Sequence, residues 1–202
     1  MIAPAFPLPR AARIAVLASG RGSNLASLLA AFPAGDPVGR VVQVIVNVPG
    51  AGAVDRALAA GVPAATIPWT RGVGDRDAFE AEAQRLLDQA GVDLVCLAGF
   101  MRILSPEVTR RWQGRILNVH PSLLPAHRGL HPQRRALQAG DRESGCTIHL
   151  VDAGVDTGPI VLQRRVPILP DDDEAALTAR ILAEEHRAYP DAVRTVLRGG
   201  TT

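Results

Sequence analysis

Residues 13–32 read RIAVLASGRGSNLASLLAAF. The run RIAVLA (13–18) is apolar throughout and of strand length, while LASLLAAF (25–32) spaces its apolar residues as a helix does. Between them lies SGRGSN (19–24), two glycines among small polar residues. A buried strand that turns through glycine into a helix opens a βαβ unit, which predicts an α/β chain on a mostly parallel sheet.

The same alternation continues outward. RVVQVIVN (40–47) reads as a second strand, AVDRALAAG (53–61) as a short helix closed by Gly61, and VPAATI (62–67) as a brief strand. DRDAFEAEAQRLLDQAG (75–91) is an amphipathic helix, followed by the buried strand DLVCLAGF (93–100), the short helix PEVTRRW (106–112) and the strand RILNVH (115–120). Beyond His120 the pattern changes to a long loop, PSLLPAHRGLHP, and a helix, PQRRALQAG. SGCTIHLVDAGVDTGPIVLQRRVPI then predicts two strands joined near Ala153–Asp156, an antiparallel hairpin at a sheet edge. The last segment predicts a helix with acidic residues at its start, bent or interrupted at Pro190. Without repeats or low-complexity linkers, the chain reads as a flexible arm (1–12) and a single domain (13–202).

Composition narrows the functional classes. A net charge of +2 over 202 residues gives no reason to expect nucleic acid or an anionic membrane as a partner. No apolar stretch approaches a membrane span, and the first ten residues lack a signal-peptide core, which points to the cytoplasm. Cys96 and Cys146 sit singly in apolar runs and read as reduced core thiols. All 22 basic residues are arginine. The lack of lysine excludes Schiff-base chemistry and a P-loop lysine, so an anion site must use arginine, backbone amides or helix N-termini.

Three stretches could carry chemistry. SGRGSN lacks the third glycine and the acidic partner of a dinucleotide site, since Leu25 and Asn47 occupy those places. It suits a small phosphate cradle built on Gly22, Ser23 and Asn24, or a tight turn with no ligand. In RILNVH, Asn118 and His120 are two apart on one strand and share a face. An amide donor and an imidazole at the carboxyl end of a parallel strand suit oxyanion stabilisation and proton transfer, though a hydrogen-bonded core pair fits too. Asp156, in the turn DAGVDTG, could orient an imidazole or could simply form an Asx turn. His120, His127 and His131 offer three imidazoles to zinc, but no cysteine or carboxylate completes that set.

Together VLASGRGSNL, LAGFMRIL, LNVHPSLLP, GCTIHLVDAGVDTGPIVLQ and EEHRAYP resemble the folate-dependent formyltransferases, in order and spacing, from Arg13 to about Arg198. The resemblance is strongest to the branch that formylates the amine of phosphoribosylglycinamide, and it implies a doubly wound, Rossmann-like fold with a C-terminal β-hairpin and closing helix. It also implies 10-formyltetrahydrofolate as co-substrate, with small-molecule substrates and no metal. By resemblance Asn118, His120 and Asp156 form the catalytic trio, with His120 kept protonated by Asp156. Gly22, Ser23 and Asn24 match binders of the phosphoribosyl phosphate, and Glu185 matches a carboxylate near the glycinamide amine. Arg76, Met101, Arg102, Ile103, Leu104 and Asn118 match positions lining the formylfolate site.

Two local departures stand out. His127-Arg128 replaces an aromatic residue and a Pro or Lys before the glycine, and VNVPGAG (46–52) lacks an expected Ser-Asn. Relatives that formylate initiator tRNA, or that hydrolyse formyltetrahydrofolate, share the Asn-x-His and Asp-x-Gly elements. SGRGSN together with EEHRAYP favours the phosphorylated small acceptor over both. A folate- or nucleotide-binding protein without turnover is the non-enzymatic alternative, and the intact trio argues against it. The oligomeric state leaves no signal in the sequence.

Overall fold

The computed structural model describes residues 6–69 and 73–200. Its strands are β1 (Ala12–Ala18), β2 (Gly39–Val46), β3 (Ala64–Thr66), β4 (Leu94–Leu97), β5 (Ile116–His120), β6 (Glu143–Leu150) and β7 (Ile160–Pro167). The first five run parallel, and β6 and β7 each pair antiparallel with the preceding strand. The order across the seven-stranded sheet is β3-β2-β1-β4-β5-β6-β7, so the predicted hairpin forms one edge. The helices are α1 (Ser23–Ala31), α2 (Ala53–Ala59), α3 (Val73–Gln89), α4 (Pro106–Arg111), α5 (Pro132–Ala139) and α6 (Glu174–Leu197).

The near-continuous apolar runs of the inner strands follow from burial on both faces. In β1, Ile14, Val16 and Ala18 join a core with Leu25 and Leu28 of α1 and Leu177, Ile181 and Tyr189 of α6. Ala15 and Leu17 point the other way, into a second core with Phe79 and Leu87 of α3 and Trp112. Each buried Leu, Ile or Val contributes roughly 1.5–3 kcal/mol of transfer free energy. Cys96 and Cys146 are free and buried, and burial pushes both thiols up to about 12, so neither supplies a thiolate near neutrality.

The strand order reverses direction between β1 and β4, and in an open α/β sheet a crevice forms there at the carboxyl ends. α6 braces that end. Fully buried Tyr189 places its hydroxyl 3.0 Å from the carbonyl oxygens of both Leu97 in β4 and Leu117 in β5. The expected interruption at Pro190 does not occur, and α6 runs unbroken through it. Proline there removes a single N–H, whereas Ala188, Tyr189, Ala192 and Val193 are wholly buried against the sheet and hold the helix together.

Of the expected arm, residues 1–5 lie outside the described residues. Phe6 and Leu8 pack against the first core. Arg10 grips the buried carboxylate of Asp93 through contacts of 2.7 and 2.9 Å, and Ala12 already belongs to β1. The prolines of this stretch conceal its packing, because they hide any strand or helix period.

Candidate active site

Asn118 and His120 lie on β5 and, two residues apart, share a face of the sheet at its crevice end. Asp156 follows β6 in the turn to β7, with a φ of 53° that asparagine and aspartate tolerate better than most residues. Gly158 closes that turn. A Cβ there would lie 1.9 Å from the Leu150 carbonyl oxygen, so only glycine fits. The closure brings Asp156 Oδ2 to 3.2 Å from His120 Nδ1, and it accepts the Gly129 N–H at 2.9 Å.

A fourth member of the cluster is absent from the sequence-based set. His149 of β6 is buried and stands opposite Asn118 in the β5–β6 ladder. Its Nε2 is 3.2 Å from Asn118 Nδ2 and 3.5 Å from Asp156 Oδ1, while Nδ1 lies 3.0 Å from the Leu150 carbonyl oxygen. A carbonyl only accepts, so Nδ1 carries the proton and Nε2 accepts from the Asn118 amide. This uses one amide N–H and leaves the second for another acceptor. The signal that finds His149 is the antiparallel pairing of GCTIHL with LNVH.

The charges follow from burial and neighbours. Burial pushes His120 below the ordinary histidine range, and this outweighs the opposing pull of Asp156 and of the His127 carbonyl. That corrects the expectation of a protonated His120, which considered the carboxylate without the desolvation. Asp156 lies below the usual carboxylate range. Its own burial opposes that shift and is overcome by the adjacent His149, by the bond from the Gly129 N–H and by the nearby His120.

The loop after β5 closes over this cluster. The side chain of Ser122 donates to the Ala126 carbonyl at 2.6 Å, and Thr147 Oγ1 donates to the Ser122 carbonyl at 2.7 Å. His120 Nε2 donates to the main-chain carbonyl of His127 at 3.1 Å. Among the described residues no group of three His, Cys, Asp or Glu side chains is arranged to hold a metal ion.

At the other end of the crevice, Gly22 is the N-cap of α1, with a φ of 75° and no side-chain cap. A Cβ on Gly22 would lie 2.9 Å from Ala53 Cα, so the turn requires glycine on two counts. The first N–H groups of α1 therefore have no capping side chain, an arrangement open to an anion. Ser23 opens α1 beside it. Asn24 behaves differently, because its buried amide Nδ2 donates to Glu185 Oε2 at 2.7 Å, and its Oδ1 is buried with no partner. The fold thus joins two residues 161 positions apart that were expected to bind different parts of a ligand. Burial pushes the Glu185 carboxyl up, against the Asn24 bond that lowers it.

The segment after β4 is tied to the turns that follow β1 and β2. The Met101 N–H donates to Ser19 Oγ at 2.8 Å, and Ser19 donates to Asn47 Oδ1 at 2.6 Å. Arg102 bonds the Trp69 carbonyl and lies over its ring, Met101 and Ile103 are exposed, and Leu104 is buried. Arg76, on the first turns of α3, pairs with its neighbour Asp77 on the surface.

A model of the formyl transferase family matches residues 12–193. The chain is 51% identical over 192 residues to the trifunctional purine biosynthetic protein adenosine-3 of Drosophila melanogaster, covering 94% of this chain but 14% of that protein. It is 42% identical over 177 residues to phosphoribosylglycinamide formyltransferase of Escherichia coli, covering 88% of this chain and 83% of the relative. Among solved structures, glycinamide ribonucleotide transformylase 1 of Symbiobacterium toebii superimposes with a TM-score of 0.87 at 45% identity, over 95% of this chain and 90% of that one.

Proposed function

The chain belongs to the formyl transferase family, and from that premise we propose that it moves the formyl group of 10-formyltetrahydrofolate to the amine of phosphoribosylglycinamide. The products are phosphoribosyl-N-formylglycinamide and tetrahydrofolate, as in de novo purine synthesis. The observation that carries this reading is the cluster of Asn118, His120, His149 and Asp156, set in the same crevice as the uncapped start of α1. Similarity to a phosphoribosylglycinamide formyltransferase supports the choice of acceptor.

The acceptor's phosphate sits on the α1 N-terminus at Gly22 and Ser23. Asn24, whose Oδ1 is buried without a partner, and buried Glu185 face the part of the acceptor that carries donor groups. The formylfolate lies along Met101–Leu104, with Arg102 and Arg76 available to its carboxylates. The amine attacks the formyl carbon, and the oxyanion that forms takes the spare Asn118 N–H. Neutral His120 accepts the proton that the amine sheds, and Asp156 stabilises the imidazolium so formed. The C–N bond to the donor then breaks, and His120 returns the proton to the leaving nitrogen. No metal enters any step.

The test is to offer phosphoribosylglycinamide, initiator methionyl-tRNA and water together as acceptors for 10-formyltetrahydrofolate. Formylated phosphoribosylglycinamide as the main product supports the proposal. Formylated tRNA, or free formate alone, overturns it.

A further inference from the structure

Both nitrogens of His120 meet groups that, in their ordinary states, only accept hydrogen bonds: the His127 carbonyl at Nε2 and the Asp156 carboxylate at Nδ1. A neutral imidazole carries one N–H, so one of these contacts must be made by a lone pair. The Nε2 contact has hydrogen-bond geometry at 3.1 Å. It therefore takes the proton, and Nδ1 keeps the lone pair.

The carbonyl that makes this choice is held from outside the site. His127 has a φ of 53°, a left-handed backbone that non-glycine residues adopt reluctantly. Its imidazole Nε2 meets Asp141 Oδ2 at 2.6 Å, just beyond the end of α5. Upstream, the loop is pinned by Thr147 Oγ1, which accepts the Leu124 N–H at 3.0 Å, and by Gln163, which donates to the Leu124 carbonyl at 2.9 Å. Downstream, the Gly129 N–H is on Asp156 at 2.9 Å. Between those anchors, the imidazole of His127 is tied down by Asp141.

We propose that His127 is a positioning residue for His120. Its main-chain carbonyl fixes the Nε2–H tautomer and the ring orientation, its imidazole is latched to Asp141 to hold that carbonyl in place, and Nδ1 is thereby kept turned toward Asp156. This rests on reading His120 as the proton carrier of formyl transfer. It assigns the loop departure at His127 a task, and it makes Asp141, half-exposed and outside the crevice, part of the catalytic geometry.

The experiment pairs a spectrum with kinetics. In ligand-free protein carrying 15N-labelled histidine, the long-range 1H–15N spectrum of His120 reports its tautomer without any turnover. Failure of the functional reading would therefore be a separate result. The expected spectrum is the Nε2–H tautomer in the wild type and a mixture in Asp141→Ala and His127→Ala. In formyl transfer, Asp141→Ala lowers kcat by about tenfold, the scale of one hydrogen bond, with KM for both substrates within about twofold. Asp141→Asn, whose amide oxygen can still accept from His127, recovers most of that loss. An Nδ1–H tautomer in the wild type, or an Asp141→Ala variant with wild-type tautomer and kcat, overturns the proposal. Melting temperatures near that of the wild type separate these effects from unfolding.

Discussion

Asn118 and His149 face each other across the antiparallel β5–β6 ladder, with Asn118 Nδ2 3.2 Å from His149 Nε2. The bond orients an amide whose second N–H is the oxyanion donor in the proposed reaction. Replacing His149 by alanine leaves that amide free to rotate. The expected result is a fall in kcat of about 10- to 100-fold with little change in KM, since the donor matters most when the oxyanion forms. Steady-state kinetics with both substrates varied will check it.

The pH dependence has a defined sign. Burial holds His120 below the ordinary value of 6.5, and the neutral ring is the form that accepts the amine's proton. The kcat/KM profile, which reports the free enzyme, should rise with pH through a value below 6.5. Stability should follow the same direction. As pH falls below about 6.5, the unfolded chain takes up a proton that folded His120 refuses, so the melting temperature drops. His186, lowered by burial, adds to this window. Asp156 adds a second one, because its folded value is depressed and its contribution is lost as pH falls below the ordinary carboxylate value of 3.8. Calorimetry between pH 3 and 8 measures both.

Glu185 is buried, and its carboxyl is pushed up by desolvation. Glu185→Gln keeps an oxygen for the Asn24 amide and removes a buried charge. It should raise the melting temperature by about 2–4 °C, the equivalent of roughly 1 kcal/mol in a chain of this size. The same change should raise KM for phosphoribosylglycinamide. A variant that is less stable than the wild type would contradict this reading of the Asn24–Glu185 pair.

Gly22→Ala places a Cβ 2.9 Å from Ala53 Cα on a backbone with φ 75°. The cost should be about 2 kcal/mol of stability, from strain that the turn cannot relieve without moving α2. Because the turn presents the first N–H groups of α1, KM for the phosphorylated acceptor should rise more than KM for the folate. Denaturant titration and kinetics measure the two effects independently.

The sheet was legible because its inner strands are apolar runs set between helical periods, beginning with RIAVLASGRGSN. Asn118, His120 and Asp156 were legible for a related reason, as polar residues placed where strands and turns end. His149 was not, since its contact depends on the antiparallel register of two strands about thirty residues apart. The His127 carbonyl is main chain and has no residue-type signature. The Asn24–Glu185 bond spans 161 positions and exists only when α6 packs on α1. The sense of the His120 shift also escaped, because a neighbouring carboxylate can be read from sequence while the depth of burial cannot. Phe6 and Leu8 read as part of a loose arm in sequence because proline masks the pattern that their packing follows.

The central claim is that this cluster performs formyl transfer to phosphoribosylglycinamide. Its most direct test is the single-turnover rate of that transfer from 10-formyltetrahydrofolate in the wild type and in His120→Ala, with circular dichroism confirming the fold. The account predicts formylated phosphoribosylglycinamide from the wild type and a rate at least about 10³-fold lower in the variant. A His120→Ala rate within a few-fold of the wild type would contradict it.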